Sequence, residues 1–335
     1  MPLKNTDDHI IANLDDELML YRVANYYYKD ELSQSEIAHI EHVSRPHISR
    51  LLAKARENGI VKIEIAIPQT KEVDAIKDAL LKLIPLKYLE ITYIPEKLKD
   101  DQKQISAYIA LKATECLADF LSDCKMTGIG WGYTIYKTSR QLEHVTQKVT
   151  TSFYPLVGVS GENNTYLQTN FIVSRFAEKF NCPAYYTNTP IVFDNNIKRS
   201  ELDNERYNKL DRTWKKLDSA IIGLGPAFHD GDFLIGEVSE EYKEKIASSN
   251  AVGDILASFF TKDGKEIDTS SEYKKVSIKL DQLRKVNKVL CLAGGKTKVE
   301  GIYTAIKMGY INSLITDSIT ALSLIDYIRK EEKSV

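Results

Sequence analysis

Residues 33–61 read SQSEIAHIEHVSRPHISRLLAKARENGIV, and this stretch decides the fold of the amino-terminal part of the chain. Ser33 followed by Glu36 is a capping-box pair, and Ile37, Ala38 and Ile40 behind it give a short helix its apolar face. A second start follows at once. Ser44 stands before Arg45 and Pro46, and proline is tolerated in a first helical turn because its missing N–H has no intrahelical partner. Ile48, Leu51, Leu52 and Ala55 then recur at helical spacing until Asn58 and Gly59 give a stop signal. Two helices so close together, with the second carrying charge, fit a helix-turn-helix.

Outward from this stretch, Leu14, Leu18, Tyr21, Ala24 and Tyr28 lie at helical spacing, with Asp15, Asp16 and Glu17 expected in the first turn. Downstream, residues 60–67 (IVKIEIAI) alternate apolar and polar like a half-buried strand, which would make a wing. Charge is concentrated on one element. Arg45, Arg50, Lys54 and Arg56 face no acid within residues 45–56, whereas residues 1–70 as a whole hold eight Lys/Arg against eleven Asp/Glu. Arg45, His47, Ser49 and Arg50 are side chains a major groove can use, with Lys54, Ser44, Ser33 and Gln34 suited to the adjoining phosphates. The plainer alternative is a small helical bundle with a solvated basic face, and His47 could merely solvate a helix start. A module with net negative charge makes few phosphate contacts, so a dimer or larger assembly is expected to multiply them.

At about 100–200 residues per domain, 335 residues imply two, divided here as residues 1–68 and 69–335. With 43% hydrophobic and 27% charged residues the chain can bury a core, and 45 Lys+Arg against 47 Asp+Glu argue against a polybasic chromatin or membrane-surface protein. The polar start, the lack of a long apolar run and four scattered cysteines point to a reduced, cytoplasmic protein without a metal or disulfide framework.

After a boundary at residues 68–71, short apolar strands alternate with longer helices. Strands are expected at residues 88–94, 126–132, 153–159, 184–187, 219–225, 288–294 and 313–316, and helices at 73–84, 104–122, 134–144, 169–180, 298–308 and 319–329. Residues 195–216 read as an exposed helix or helical loop. The alternation implies a Rossmann-like α/β domain with parallel βαβ units. Glycines fall where these strands end: Gly128, Gly130 and Gly132, then Gly158 and Gly161, Gly223 and Gly225, and Gly294 and Gly295. Ligands of open parallel sheets sit at that edge, where small residues and helix N-termini let backbone N–H groups meet an anion. Thr134 could add a hydroxyl and Lys298 a fixed positive charge, a pairing suited to phosphate. The spacing in GIGWGYT (128–134) matches neither a dinucleotide fingerprint nor a P-loop, and no cofactor is implied.

These motifs resemble the SorC/DeoR family of bacterial sugar-responsive transcriptional regulators. The likeness rests on residues 33–38 (SQSEIA), 44–52 (SRPHISRLL) and 55–61 (ARENGIV), then on 128–134, 155–158 (PLVG), 223–225 (GLG), 251–255 (AVGDI), 293–298 (AGGKTK) and 314–317 (LITD). The resemblance implies an effector domain like the ribose-5-phosphate isomerase and glucosamine-6-phosphate deaminase fold. It also implies that Gly132, Tyr133, Thr134 and Lys298 hold a sugar phosphate, with Gly130 and Gly295 in the same loops, and that Asp254 binds sugar hydroxyls. Asp254 could instead cap a following helix or loop, and N-capping suits Asp317 better than ligation. Glu162 and Asn170 are weaker ligand candidates, and Trp131 and Tyr133 either stack on a sugar or pack. A sugar-phosphate isomerase or deaminase-like enzyme would share this fold, but no Asp/Glu/His cluster converges at one strand end for acid–base work. His229 lies in a turn-rich stretch without an evident chemical role.

Overall fold

The computed structural model describes residues 4–61, 71–160, 168–194, 200–226, 240–270 and 273–333, in two compact units, residues 1–66 and 67–335. Of the wing expected at residues 60–67, all but residues 60 and 61 lies outside the described residues, as do Gly161, Glu162 and His229.

The first unit holds α1 (Lys4–Tyr28), α2 (Gln34–Ile40) and α3 (Arg45–Glu57). The capping box forms: Ser33 Oγ accepts from the Glu36 N–H at 3.3 Å, and Glu36 Oε2 accepts from the Ser33 N–H at 2.8 Å. Ser44 stands at the N-cap of α3, yet its hydroxyl makes no capping bond; only its carbonyl is used, by the N–H groups of His47 and Ile48. Gly59 ends α3 with φ +73°, as the stop signal requires. The core is Val23, Ile37, Ala38, Ile48 and Leu52, with Leu20, Ala24 and Ala55 beside it. This corrects the reading of α1. The helix begins at Lys4, so Asp15, Asp16 and Glu17 lie beyond its first turn, and Leu18, Tyr21 and Tyr28 are exposed instead of packed. Arg22 ties α1 to the turn after α2 by donating Nε and Nη2 to the Glu41 carboxylate at 3.1 and 2.8 Å. That contact holds the Glu41 carboxyl below its usual range.

In the second unit a six-stranded, wholly parallel sheet runs in the order β1-β11-β10-β5-β2-β3. In chain order its parts are α4 (Lys71–Leu83), β1 (Tyr88–Thr92), α5 (Gln102–Phe120), β2 (Met126–Ile129), α6 (Tyr133–Gln141), β3 (Ser152–Pro155) and α7 (Thr169–Phe180). There follow β4 (Val192–Asp194), α8 (Glu201–Trp214), β5 (Ser219–Gly223), β6 (Gly225–Pro226), α9 (Glu240–Ala247), β7 (Ala251–Ile255), β8 (Ser258–Thr261) and β9 (Tyr273–Lys275). Last come α10 (Leu280–Leu283), β10 (Lys288–Leu292), α11 (Val299–Lys307), β11 (Ser313–Asp317) and α12 (Ser318–Lys333). The central strands β5, β10 and β11 are buried almost throughout, whereas the edge strands β1 and β3 alternate. That is the difference between strands covered on both faces and strands at a rim.

Five expected strands come out shorter, and the one at residues 184–187 does not form. β3 ends at Pro155; Leu156 still donates its N–H to the Ile129 carbonyl at 3.0 Å, and beyond it the chain makes only single bridges, Val157 with Ser277 and Val159 with Pro190. β5 stops at Gly223 and the chain passes into a separate antiparallel sheet, β6-β7-β8. Residues 184–187, flanked by Pro183 and Pro190, form one bridge (Ala184 with Phe153) instead of a strand, while Tyr185 stacks on Tyr154 at 4.5 Å. The sequence pattern does not announce the small sheets β4-β9 and β6-β7-β8, and Asp254 lies inside β7 with a hairpin turn after it, so it caps no helix.

Candidate functional site

Two surfaces carry the chemistry, one in each unit. On α3, Ile48, Leu52 and Ala55 face the core, which leaves Arg45, Ser49, Arg50, Lys54 and Arg56 exposed and His47 half-buried. Ser33 and Ser44 are exposed at the starts of α2 and α3, and Gln34 is half-buried. Arg50 Nε reaches only the Pro46 carbonyl at 3.4 Å, a weak hold that leaves its guanidinium available. The turn between α2 and α3 is set by His42 at φ +56°, a left-handed residue where glycine is commoner.

The second surface lies at the carboxyl edge of the parallel sheet. Chain order runs one way from β2 to β3 and the other way from β5 through β10 to β11, so the switch point falls between β2 and β5. There the Gly130 N–H donates to the Ile221 carbonyl at 2.9 Å, and the chain turns through Gly132 at φ +112° into α6. A residue without a side chain stands at that N-cap, so α6 presents its first turn without a side-chain cap from Gly132. After β10 the same device recurs. Gly295 at φ +107° precedes a 3-10 turn, Lys296–Lys298, that leads into α11. Lys298 is buried at the junction. Its positive charge pulls the Cys291 thiol down against burial, which still pushes that thiol up to about 12.

Hydrogen bonds tie these two helix starts together. Thr134 Oγ1 donates to Ser106 Oγ at 3.2 Å, and Gln102 Nε2 donates to that same oxygen at 3.3 Å and to the Gly294 carbonyl at 3.1 Å. The Gly295 N–H donates to Thr320 Oγ1 at 2.6 Å, whose hydroxyl donates to Asp317 Oδ2 at 2.5 Å. Asp317 Oδ1 takes the N–H groups of Ile319 and Thr320 at 3.0 and 2.9 Å, so this carboxylate caps α12, as its place in the sequence suggests. Gln102 escaped sequence reasoning because α5 begins two residues before the expected 104. Asp101 caps it by accepting from Lys103 and Gln104, which puts Gln102 on the first turn. The missed signal is Ser106, a hydroxyl in the otherwise apolar series Ile105, Ile109, Ala110 and Ala113.

The other candidates separate into neighbours of this cradle and parts of the scaffold. Asp254 is buried and lies against Gly225, opposite it in the β6–β7 pairing. Beneath Gly130 sits Leu256 of the β7–β8 hairpin; a Cβ on Gly130 would lie 2.9 Å from its side chain. Leu256 and Ala257 both have positive φ, 54° and 63°, a strain of about 1–2 kcal/mol per non-glycine residue. Lys275 Nζ holds the turn through the Ala257 carbonyl at 2.8 Å, and Ser277 Oγ through the Leu256 carbonyl at 2.8 Å. Tyr133 is half-buried, with Lys137 Nζ 5.5 Å from its ring centroid. Trp131 is 3% exposed and packs in the core. Gly158 donates its N–H to the Val276 carbonyl at 2.8 Å, and Asn170 clamps Thr187 through both ends of its amide, so these two brace neighbouring segments.

A helix-turn-helix joined to an open parallel sheet, with an anion-suited cradle at the carboxyl edge of the sheet, is the architecture of a regulator with a small-molecule domain. Comparison with known proteins places it further. Residues 70–326 match the family described as "Putative sugar-binding domain". The deoxyribonucleoside regulator of Bacillus subtilis is 28% identical over 306 residues, covering 90% of this chain and 96% of that protein. The sorbitol operon regulator of Klebsiella pneumoniae is 26% identical over 314 residues, 93% of this chain and 98% of that one. The crystal structure of that full-length regulator, SorC, superposes with a TM-score of 0.66 at 24% identity, covering 93% of this chain and 99% of the other. The chain belongs to the SorC/DeoR family of regulators with a sugar-binding domain. Among the described residues no helix is long and apolar enough to cross a membrane.

Proposed function

We propose that this chain is a cytoplasmic transcriptional regulator, acting as a repressor of a carbohydrate-utilisation operon, whose hold on operator DNA is set by a phosphorylated sugar. The observation that carries the reading is the hydrogen-bonded chain from Thr134 through Ser106 and Gln102 to Gly294, which makes one cradle of two glycine-led helix starts beside buried Lys298. Paired N-termini with a fixed cation suit a phosphate dianion. Gly132, Tyr133, Thr134 and Lys298 take the phosphate end, Gly130 and Gly295 shape the two loops because their own N–H groups are spent on Ile221 and Thr320, and Asp254 takes sugar hydroxyls. On α3, Arg45, His47, Ser49 and Arg50 read base edges, while Ser33, Gln34, Ser44 and Lys54 position the backbone. The protein works as a homodimer or homotetramer on two half-sites, and it binds the sugar phosphate without converting it. Ligand and DNA are coupled because each prefers one arrangement of the assembly.

The test uses a panel of pentose and hexose phosphates. A true effector at a hundredfold excess over its Kd adds about 2.7 kcal/mol of stability. It also releases the protein from an operator selected in vitro, and it is recovered unchanged. Lys298→Ala is expected to keep operator binding and lose both the stabilisation and the release. Turnover of a sugar phosphate, or a Lys298→Ala chain that still responds, would sink the reading.

A further inference from the structure

The hairpin that joins β7 to β8 turns on two residues. Ile255 pairs with Ser258, so Leu256 and Ala257 make the whole of the turn, at φ +54° and +63°. Such a turn calls for positive φ at both central positions, which asparagine and glycine supply with the least strain. Here the residues are leucine and alanine, and both are buried. The turn has no room to relax. Lys275 Nζ donates to the Ala257 carbonyl at 2.8 Å, to Ser258 Oγ at 2.7 Å and to Glu266 Oε1 at 2.8 Å, which uses all three of its protons. Ser277 Oγ donates to the Leu256 carbonyl at 2.8 Å. Backbone strain of this kind persists only where the surroundings over-determine it, and it gathers at ligand clamps.

The leucine side chain shows what the strain holds in place. Of the three atoms nearest a Cβ built on Gly130, two belong to the backbone of β5, at 3.3 and 3.4 Å, and the third is Leu256 Cδ2 at 2.9 Å. The glycine loop is thus pinned between β5 and a single side chain. On the β5 side the Gly130 N–H is already fixed to the Ile221 carbonyl, and two residues further on Gly132 opens α6. We propose that Leu256 is a positioning residue of the effector site: wedged beneath Gly130 by the strained turn, it sets where residues 130–134 present the first turn of α6 to a phosphate. This rests on the reading of that loop as the phosphate end of the site. Asp254 stands two residues before Leu256 in the same hairpin. One clamped piece of chain therefore carries both the residue assigned to the sugar hydroxyls and the prop of the phosphate loop.

The probe is inorganic phosphate on the full chain, its Kd read from phosphorus NMR line broadening at a temperature where circular dichroism shows each variant folded. Leu256→Ala is expected to raise that Kd by about fivefold or more, because the loop must then be ordered on binding. Leu256→Met, which refills the space, should stay within about twofold of the unmodified chain. Leu80→Ala separates positioning from lost stability. Leu80 is fully buried in α4, which packs on β1, four strands from β2 in the sheet, so its loss should lower stability and leave the Kd unchanged. An unchanged Kd in Leu256→Ala, or an equal rise in Leu80→Ala, overturns the proposal. The wedge is also tested without phosphate. Gly130 needs no positive φ, so Gly130→Ala probes space alone. The fall it causes in the urea midpoint should shrink by about half or more once Leu256→Ala has cleared that space, and an equal fall on both backgrounds overturns the proposal too. Lys298→Ala keeps the two readings apart. Phosphate binding lost in Lys298→Ala but kept in Leu256→Ala removes the wedge alone. Binding that survives in Lys298→Ala, or none in the unmodified chain, removes the phosphate site and this role of Leu256 with it, whatever the urea coupling shows.

Discussion

The exposed face of α3 and the cradle at the sheet edge both offer positive groups, and they are built in opposite ways. The α3 side chains are long, exposed and held by little; the tightest contact of Arg50 within its unit is at 3.4 Å. The cradle is short-armed and braced. Its loops are braced by hydrogen bonds through Ser106, Gln102, Thr320 and Asp317, and Lys298 beside them is buried. A helix with exposed, loosely held cationic side chains suits a duplex, where phosphate contacts position the protein. A braced cradle suits a small ligand, because pre-organisation lowers the cost of ordering the site.

The largest effect expected from that difference is on the braced side. A Cβ on Gly158 would lie 2.6–2.7 Å from Thr189 O, Ile191 N and Pro190 C, all backbone atoms that cannot swing aside. Gly158→Ala is therefore expected to destabilise the second unit by about 3 kcal/mol, the upper end of ordinary overpacking. Urea unfolding followed by tryptophan fluorescence reads this unit alone, since Trp131 and Trp214 both lie in it. A loss under about 1 kcal/mol would mean that the 189–191 segment is as yielding as α3 and that the contrast is false.

Next in size is Arg50→Ala. Losing one guanine contact costs about 1–3 kcal/mol of operator binding. Because nothing in its unit leans on Arg50, thermal stability should stay where it was. A gel-shift titration beside a thermal melt separates the two, and equal affinity for the selected duplex would remove Arg50 from the groove. Ser106→Ala should do the reverse. It removes the shared acceptor of Thr134 and Gln102 at a cost of about 1 kcal/mol, and it should weaken sugar-phosphate binding with operator affinity unchanged. If effector affinity holds, the two helix starts keep their places without the brace.

What was legible in the sequence follows the same division. The helix-turn-helix is a local object: Ser33, Glu36, Pro46 and Gly59 each act within a turn of themselves, and α2 and α3 form where those residues say. The glycine loops after β2 and β10 were legible for a similar reason, since glycine at φ +112° and +107° is a local backbone demand. The brace was not. Gln102 and Gly294 are 192 residues apart, and no local pattern says they meet. Gly158 and Asn170 read as site residues because a glycine after a strand and an amide near it are local signals; that they also hold Val276 and Thr187 is a long-range fact no local pattern carries. The α1 stripe misled because helical spacing shows that a face is apolar, not what covers it, and the core chose Leu20 and Val23 over Leu18 and Tyr21.

The smallest effect lies in the turn that aims α3. His42 adopts φ +56° between α2 and α3, where an L side chain costs about 1–2 kcal/mol and glycine costs nothing sterically. Glycine also loses more backbone entropy on folding, roughly 0.5–1 kcal/mol. The two oppose each other, so His42→Gly should stabilise the first unit by about 0–1.5 kcal/mol. Hydrogen exchange over peptides from α2 and α3 measures it, as slower opening of those helices with α5 and α6 unchanged. Operator affinity should follow weakly in the same direction, since a firmer turn narrows the orientations of α3 without adding a contact. Faster exchange in His42→Gly would mean that the imidazole makes up its backbone strain through a contact at the duplex-facing surface, and α3 would then be less loosely held than its long side chains suggest.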